Sequence, residues 1–283
     1  MKARKSKKVK LQNNFHVEWS KLNALDFVKA KDYAKKTCII PCGCYEKHGN
    51  HLPLGTDMII AHTLAVLAAK EEYAVVYPNH YYTQVSEVGH YPGTIAFPAK
   101  HQIEILQEIC DEVYRNGFEK IILLNSHGGN GHLLNYFCQT QLDKPRDYIV
   151  YAYHVWPLSK EQLDHLDKKY DLILDLGHAG VKETSVIMAI DSSLVKMEYV
   201  VPDEGEALRR NLETTKSGLF TAINWYANFP NHIAGDPNLA FKEYGQDIID
   251  MQTIRIAKAI KIAKENKVMP DLQKEFYART KRS

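Results

Sequence analysis

Short apolar runs alternate along the chain with longer stretches in which apolar residues recur every three or four positions. These are the periods of buried strands and of helices packed on them. Residues 37–41, 73–78, 120–125 and 148–153 read as strands. Helices are predicted between and after them. Residues 58–70 are rich in Ala, Leu and Ile, while 98–116 place Ile103, Leu106, Ile109, Cys110, Val113 and Tyr114 on one face and stop at Gly117. Further helices are expected at 131–141, at the polar 159–169, from Glu183 through Val186, Ile187, Met188 and Ile190, and at 244–265. The last carries Ile248, Ile249, Met251, Ile254, Ile256, Ala257 and Ile260. This alternation predicts an α/β protein with a largely parallel sheet. Its ligand crevice would lie beyond the carboxyl ends of the strands. Residues 200–218, charged and weakly patterned, are expected to form an exposed loop.

With 283 residues, 45% hydrophobic and 25% charged, the chain is long enough for a substantial core. No repeat or low-complexity linker divides it, so one domain over residues 15–270 is expected, flanked by basic tails at 1–14 and 271–283. A net charge of +2 is too mild to point to nucleic acid, and no apolar stretch reaches the ~18 residues of a membrane span. After Lys2, Arg4, Lys5, Lys7, Lys8 and Lys10 comes Leu11-Gln12-Asn13-Asn14, where a secretion signal needs an apolar segment. Five cysteines, an odd number without such a signal, then predict free thiols and a cytoplasmic protein. Cys42 and Cys44 have no second pair to close a zinc shell, so both are expected to pack.

Three polar clusters follow apolar runs or open helices. Residues 46–57, Glu-Lys-His-Gly-Asn-His-Leu-Pro-Leu-Gly-Thr-Asp, crowd carboxylates and imidazoles after the first strand. Glu46 and His48 would share a face of extended backbone, and the loop can return Asp57 to the same point. Such donors suit Zn, Mn or Fe, and one Asp can bridge two ions. His127, in Asn125-Ser126-His127-Gly128-Gly129-Asn130, is the natural fourth protein ligand. Asn130 either orients that loop or caps the following helix. His178 and Glu183 stand on either side of Gly180; taken singly, Glu183 reads as a helix-start carboxylate and His178 as either a loop or a catalytic histidine.

Together these clusters closely resemble the creatininase (creatinine amidohydrolase) family. Pro41, Gly43 and the run from Glu46 to Asp57 match its Glu-x-His-Gly-x-His-Leu-Pro-Leu-x-Thr-Asp pattern. Tyr91-Pro92-Gly93-Thr94, Asn125 to Asn130, His178 to Ser185 and Gly235-Asp236-Pro237 match its later elements in order. The resemblance implies a three-layer α/β/α sandwich, a compact homo-oligomer, often a hexamer, and hydrolysis of a small cyclic or related amide by metal-activated water. It assigns Glu46, His48, Asp57 and His127 as ligands of two divalent ions, with Asp57 bridging. It further implies that Glu183 completes the second ion's shell and that His178 assists the reacting carbonyl or the leaving nitrogen.

Departures from the pattern widen the substrate question. Creatininases proper resemble Asn-Gly-His-Tyr-Glu-Asn in the third motif, but Gly129 stands at the place of that Glu, which makes Glu183 the substitute. Lys47 replaces the usual Gln and Val181 the usual Glu; Cys44 stands where the family commonly has a small residue. A formamide or modified-peptide amidase and a non-catalytic ligand-binding homologue are therefore alternatives. Ser126 and Ser185 lie beside the key residues, but no Gly-x-Ser-x-Gly elbow supports a serine nucleophile. Trp156 either walls the pocket or packs. His51, His90 and His232 are expected near the site, and His62, His80, His101, His132 and His165 at the surface or in packing.

Overall fold

The computed structural model describes residues 15–170 and 177–280. The basic segment expected at 1–14 lies outside them. In chain order the main elements are α1 (Ala24–Tyr33), β1 (Thr37–Cys42), α2 (Thr56–Glu71), β2 (Val75–Val76), α3 (Ala99–Arg115), β3 (Lys120–Asn125) and α4 (Asn130–Thr140). Then follow β4 (Ile149–His154), α5 (Lys160–Tyr170), α6 (Val181–Asp191), α7 (Leu212–Lys216), α8 (Asn224–Asn228), α9 (Lys242–Glu265) and α10 (Val268–Thr280).

The four strands form one parallel sheet in the order β2-β1-β3-β4. Every residue of β1 and all but the first of β3 are buried, which is why these strands read as continuous apolar runs and not as alternation. Register pairs Cys42 with Asn125 and Asn125 with His154, so the three longer strands end level. The chain leaves β1 toward β2 but leaves β3 toward β4, and strand order reverses between β1 and β3. Right-handed crossovers then place α2 on one face and α3 and α4 on the other, giving three layers. On the first face α9 lies against α2, α6, β1 and β3; on the second, α4 packs on β3 and β4.

Several expectations need correction. The strand expected at 73–78 contracts to Val75–Val76. Pro41 faces this edge, since its carbonyl accepts from the His80 amide, and it has no N–H with which to extend the ladder. Helix α1 was not anticipated, although Asn23 caps it by accepting from the Leu25 and Asp26 amides. Residues from 271 onward are not a tail as far as Thr280: they belong to α10, where Tyr277 is buried and donates to the Gln141 carbonyl. Within 200–218 the side chains are largely exposed as expected, but Leu212–Lys216 form a short helix.

Candidate metal centre

The reversal of strand order puts the ends of β1 and β3 side by side with connections diverging from them. A crevice opens at such a point. Glu46 follows β1 by four residues and His127 follows β3 by two. The Glu46 amide bonds the Leu54 carbonyl at 3.0 Å, closing a loop that hands the chain to α2 with Asp57 in its first turn. Gly43 makes that return possible, because a Cβ there would meet Asp57 Cβ at 2.9 Å and the Met58 nitrogen at 3.0 Å. Ser126 Oγ, donating to the Asp57 carbonyl at 2.5 Å, ties the β3 loop to the same helix.

The loop bearing His127 is held by two asparagines. Asn125 donates to the His127 carbonyl and accepts from the His127 amide, while Asn130 donates to Asn125 Oδ1 at 3.0 Å and accepts from the Gln84 amide. Asn130 therefore orients the loop; the residue at the cap position of α4 is Gly129.

Asp57 divides its two oxygens between two donor sets. Oδ2 lies 3.2 Å from His127 Nδ1, which lies 3.0 Å from Glu46 Oε1, and these atoms with Cys44 Sγ all fall within 4.8 Å of one another. Oδ1 lies 3.4 Å from His48 Nε2, which lies 3.8 Å from Glu183 Oε2. All of these side chains are buried. Despite the short approaches, Glu46 Oε1 and His48 Nε2 have no aligned hydrogen bond among the described residues. Buried carboxylate and imidazole atoms that converge without bonding one another are what a divalent cation satisfies, so the residues present fit such a cation. Glu183 serves two ends, since its Oε2 also accepts the Ala179 amide at 2.6 Å.

A third group, Glu46, His48 and His178, flanks both sets. His178 Nε2 lies 2.9 Å from the Lys47 carbonyl, which can only accept. The ring therefore donates from Nε2 and turns Nδ1 toward Glu46 Oε1 and Glu183 Oε2, each at 3.9 Å. Trp225 stands edge-on to this ring at 5.9 Å, and its Nε1 donates to His232 Nδ1 at 2.6 Å. His232 must then donate from Nε2 to Glu46 Oε2, at 2.7 Å. The relay Trp225–His232–Glu46 fixes the carboxylate from outside.

Burial opposes charge on all four central groups, yet mutual attraction overrides it. His48 and His127 pull Asp57 down to about 2, and His127 and His178 hold Glu46 well below the carboxylate range. In return Asp57, Glu183 and Glu46 lift His48 to about 9, and His127 rises as well. Without a cation, protons on the imidazoles neutralise the carboxylates; ligation requires those protons to leave. His51 and His232 are pushed down to about 4, chiefly by burial, and remain neutral partners.

The remaining sequence candidates divide. His51 bonds Thr184 Oγ1 at 2.9 Å, directly behind the cluster. His90 stays outside the donor sets, its Nε2 3.4 Å from the Pro230 carbonyl and its ring against Tyr91 and Tyr226. Trp156 packs against the core with Lys182 Nζ over its ring, so the aromatic beside His178 is Trp225, which sequence reasoning missed. Lys47 turns outward to the Asn231 carbonyl, Glu204 and the face of Tyr91. Cys42 packs as expected, but Cys44 does not merely pack: its sulfur lies 3.1 Å from Asp57 Oδ2. His80 is buried, His62 bonds Glu18 and Asn79, His101 contacts Glu104, His132 faces Phe220 and His165 is exposed.

A parallel sheet between two helical layers, with a buried carboxylate and imidazole cluster at its switch point, defines an α/β protein whose site suits divalent cations. The chain belongs to the creatininase family, whose creatinine amidohydrolase model matches residues 20–260, and it is an amidohydrolase of that family. The mycofactocin precursor peptide peptidase of Mycolicibacterium smegmatis is 28% identical over 217 residues, 74% of this chain and 78% of that one. Creatinine amidohydrolase of Pseudomonas putida is 26% identical over 175 residues, 58% and 67% of the two chains. The 3-dehydro-scyllo-inosose hydrolase of Thermotoga maritima is 25% identical over 253 residues, 85% and 78%. Among solved structures, a creatininase variant of zinc–zinc type superposes with a TM-score of 0.74 at 21% identity, covering 89% of this chain and 100% of its own. A manganese creatininase gives 0.72 at 20% identity, with the same coverage. At these identities the superpositions establish the fold.

Proposed function

We propose that this protein hydrolyses a C–N bond of a small cyclic amide, or a closely related amide, with two divalent cations held by Glu46, Asp57 and His127 and by His48, Asp57 and Glu183. The observation that carries this reading is the division of the Asp57 oxygens between two buried donor sets. Zn, Mn and Fe all suit carboxylate and imidazole donors, and relatives of this fold occur in zinc and manganese forms. Such cations polarise a carbonyl oxygen and bring the pKa of water to about 7.

The chain's own groups supply the rest. His178 presents Nδ1 between the two donor sets while the Lys47 carbonyl holds its protonated Nε2, so Nδ1 is placed to take a proton from the attacking water and hand it on to the departing nitrogen. Trp225 walls the ring on one side and, through His232, keeps Glu46 from rotating. Glu183 is anchored by the Ala179 amide and is the carboxylate nearest His48 after Asp57, which suits it to stand in for the Glu that Gly129 lacks. A second reading, a modified-peptide or formamide amidase, is favoured by that same absence and by the 28% identity to a peptide peptidase. We include in the proposal a cytoplasmic homo-oligomer, which the exposed Leu219, Phe220 and Ile223 support as a contact patch.

Chelated protein should neither open creatinine-like cyclic amides nor cleave formylated bases or short peptides, and zinc or manganese should restore hydrolysis of one class. His178→Gln should lower kcat by roughly 10²–10⁴-fold at similar KM. Full activity of metal-free protein would refute the reading.

A further inference from the structure

We propose that Cys44 is a thiolate ligand of the cation held by Glu46, Asp57 and His127, which makes the two metal positions unequal. The proposal rests on the two-cation reading above. Cys44 Sγ is fully buried and 3.1 Å from Asp57 Oδ2, and Sγ, Glu46 Oε1, Asp57 Oδ2 and His127 Nδ1 all lie within 4.8 Å of one another. A tetrahedral zinc site with Zn–S of about 2.3 Å and Zn–N or Zn–O of about 2.0–2.1 Å separates sulfur from oxygen by about 3.5 Å and oxygen from nitrogen by about 3.3 Å. The Sγ–Oδ2 separation of 3.1 Å and the Nδ1 separations of 3.0 and 3.2 Å from Glu46 and Asp57 approach those values.

Independent support comes from Glu46 Oε1, a fully buried carboxylate oxygen in the same group with no hydrogen bond among the described residues. The other buried cysteines differ. Cys38 and Cys42 direct sulfur at backbone carbonyls, and neither they nor Cys110 belong to a donor group. Cys44 packs outside the main core in a small cluster with Val85 and Val88 behind it. As the sulfur–metal bond forms, the thiol proton passes to solvent and the S–H contact to Asp57 gives way to a shared cation.

Chemical consequences follow for both positions. Four protein donors close the first, the condition of a structural zinc site, and soft sulfur favours zinc over manganese there. The second, with His48, Asp57 and Glu183, has three protein donors and keeps room for substrate. The substrate carbonyl is thus assigned to the second position.

Cobalt(II) added to the chelated full-length protein under anaerobic conditions tests this. Visible d–d bands together with a near-ultraviolet sulfur-to-cobalt charge-transfer band are expected in the wild type. Cys44→Ser should lose the near-ultraviolet band and keep the visible ones, while Cys42→Ala should keep both. Zinc-edge X-ray absorption of the wild type, which needs no variant to fold, should show one sulfur neighbour at about 2.3 Å. Visible bands without the near-ultraviolet band, or a near-ultraviolet band that survives Cys44→Ser, would overturn the thiolate and leave the two-cation reading standing. Absence of every cobalt band would overturn both.

Discussion

Asp57 answers to three neighbours at once: its carboxylate faces His48 and His127 from opposite oxygens, and its backbone carbonyl is gripped by Ser126. That crowding makes the metal-free protein sensitive to pH. His48 has a folded pKa of about 9 against an ordinary 6.5, so between those values the folded chain binds more protons than the unfolded one. Its contribution is complete below pH 6.5 and lost as pH rises through about 9. Asp57, lowered to about 2, contributes the opposite way, and its share is lost only as pH falls through that value. Thermal unfolding of chelated protein should therefore show a falling Tm from pH 6.5 to 9, and zinc should flatten the slope by holding His48 neutral. An equal slope with and without zinc would contradict the assignment of His48. At this scale the sequence was informative where polar residues stood against apolar runs, as at Glu46, His48, Asp57 and His127. It placed His232 near the site but was silent on Trp225 and on the contact that ties them to Glu46, because the bond from His232 to Glu46 spans 186 residues and exists only once the late turn has folded back. The one local hint was a tryptophan, one of three in the chain, shortly before Gly235-Asp236-Pro237.

Helix α6 brings Glu183 to the site only because α9 lies close behind it. A Cβ on Gly245 would come 1.8 Å from the Ser185 carbonyl oxygen, two residues beyond Glu183. In an open helix Gly→Ala stabilises by up to about 1 kcal/mol. Here Gly245→Ala should instead destabilise by about 1–3 kcal/mol, as overpacking does, and should weaken metal retention at the His48 and Glu183 set. Chemical denaturation and metal analysis check this together; a variant as stable as the wild type would contradict the packing. Elements with a sharp period were legible to within a residue or two: residues 98–116 became Ala99–Arg115, and 120–125 became β3 without change. The misses share a cause, weak amphipathic pattern. Ala30 alone is buried in α1 and Tyr277 alone in α10, so neither left a stripe to read. The second strand failed for a different reason, since its length depends on Pro41 in the neighbouring strand.

Over the whole molecule, alternation of strands and helices gave the α/β class and the location of the clusters beyond strand ends. Strand order was not readable, because parallel pairing is set by crossovers and not by local pattern. It is that order, with its reversal between β1 and β3, that brings the loops after Cys42 and Asn125 together and lets the start of α6 close on them. The candidate centre is thus a property of topology: Glu46 and His127 come from two separate connections and share one donor group with Asp57, while Glu183, from the first turn of α6, shares another with Asp57 and His48. No helix among the described residues is long and apolar enough to cross a membrane. Elemental analysis of wild type and Asp57→Asn, each purified without chelator and dialysed against trace zinc, tests the central claim most directly. The account predicts close to two ions per wild-type chain and at most one in the variant. A wild type that holds none, or a variant that still holds two, would contradict it.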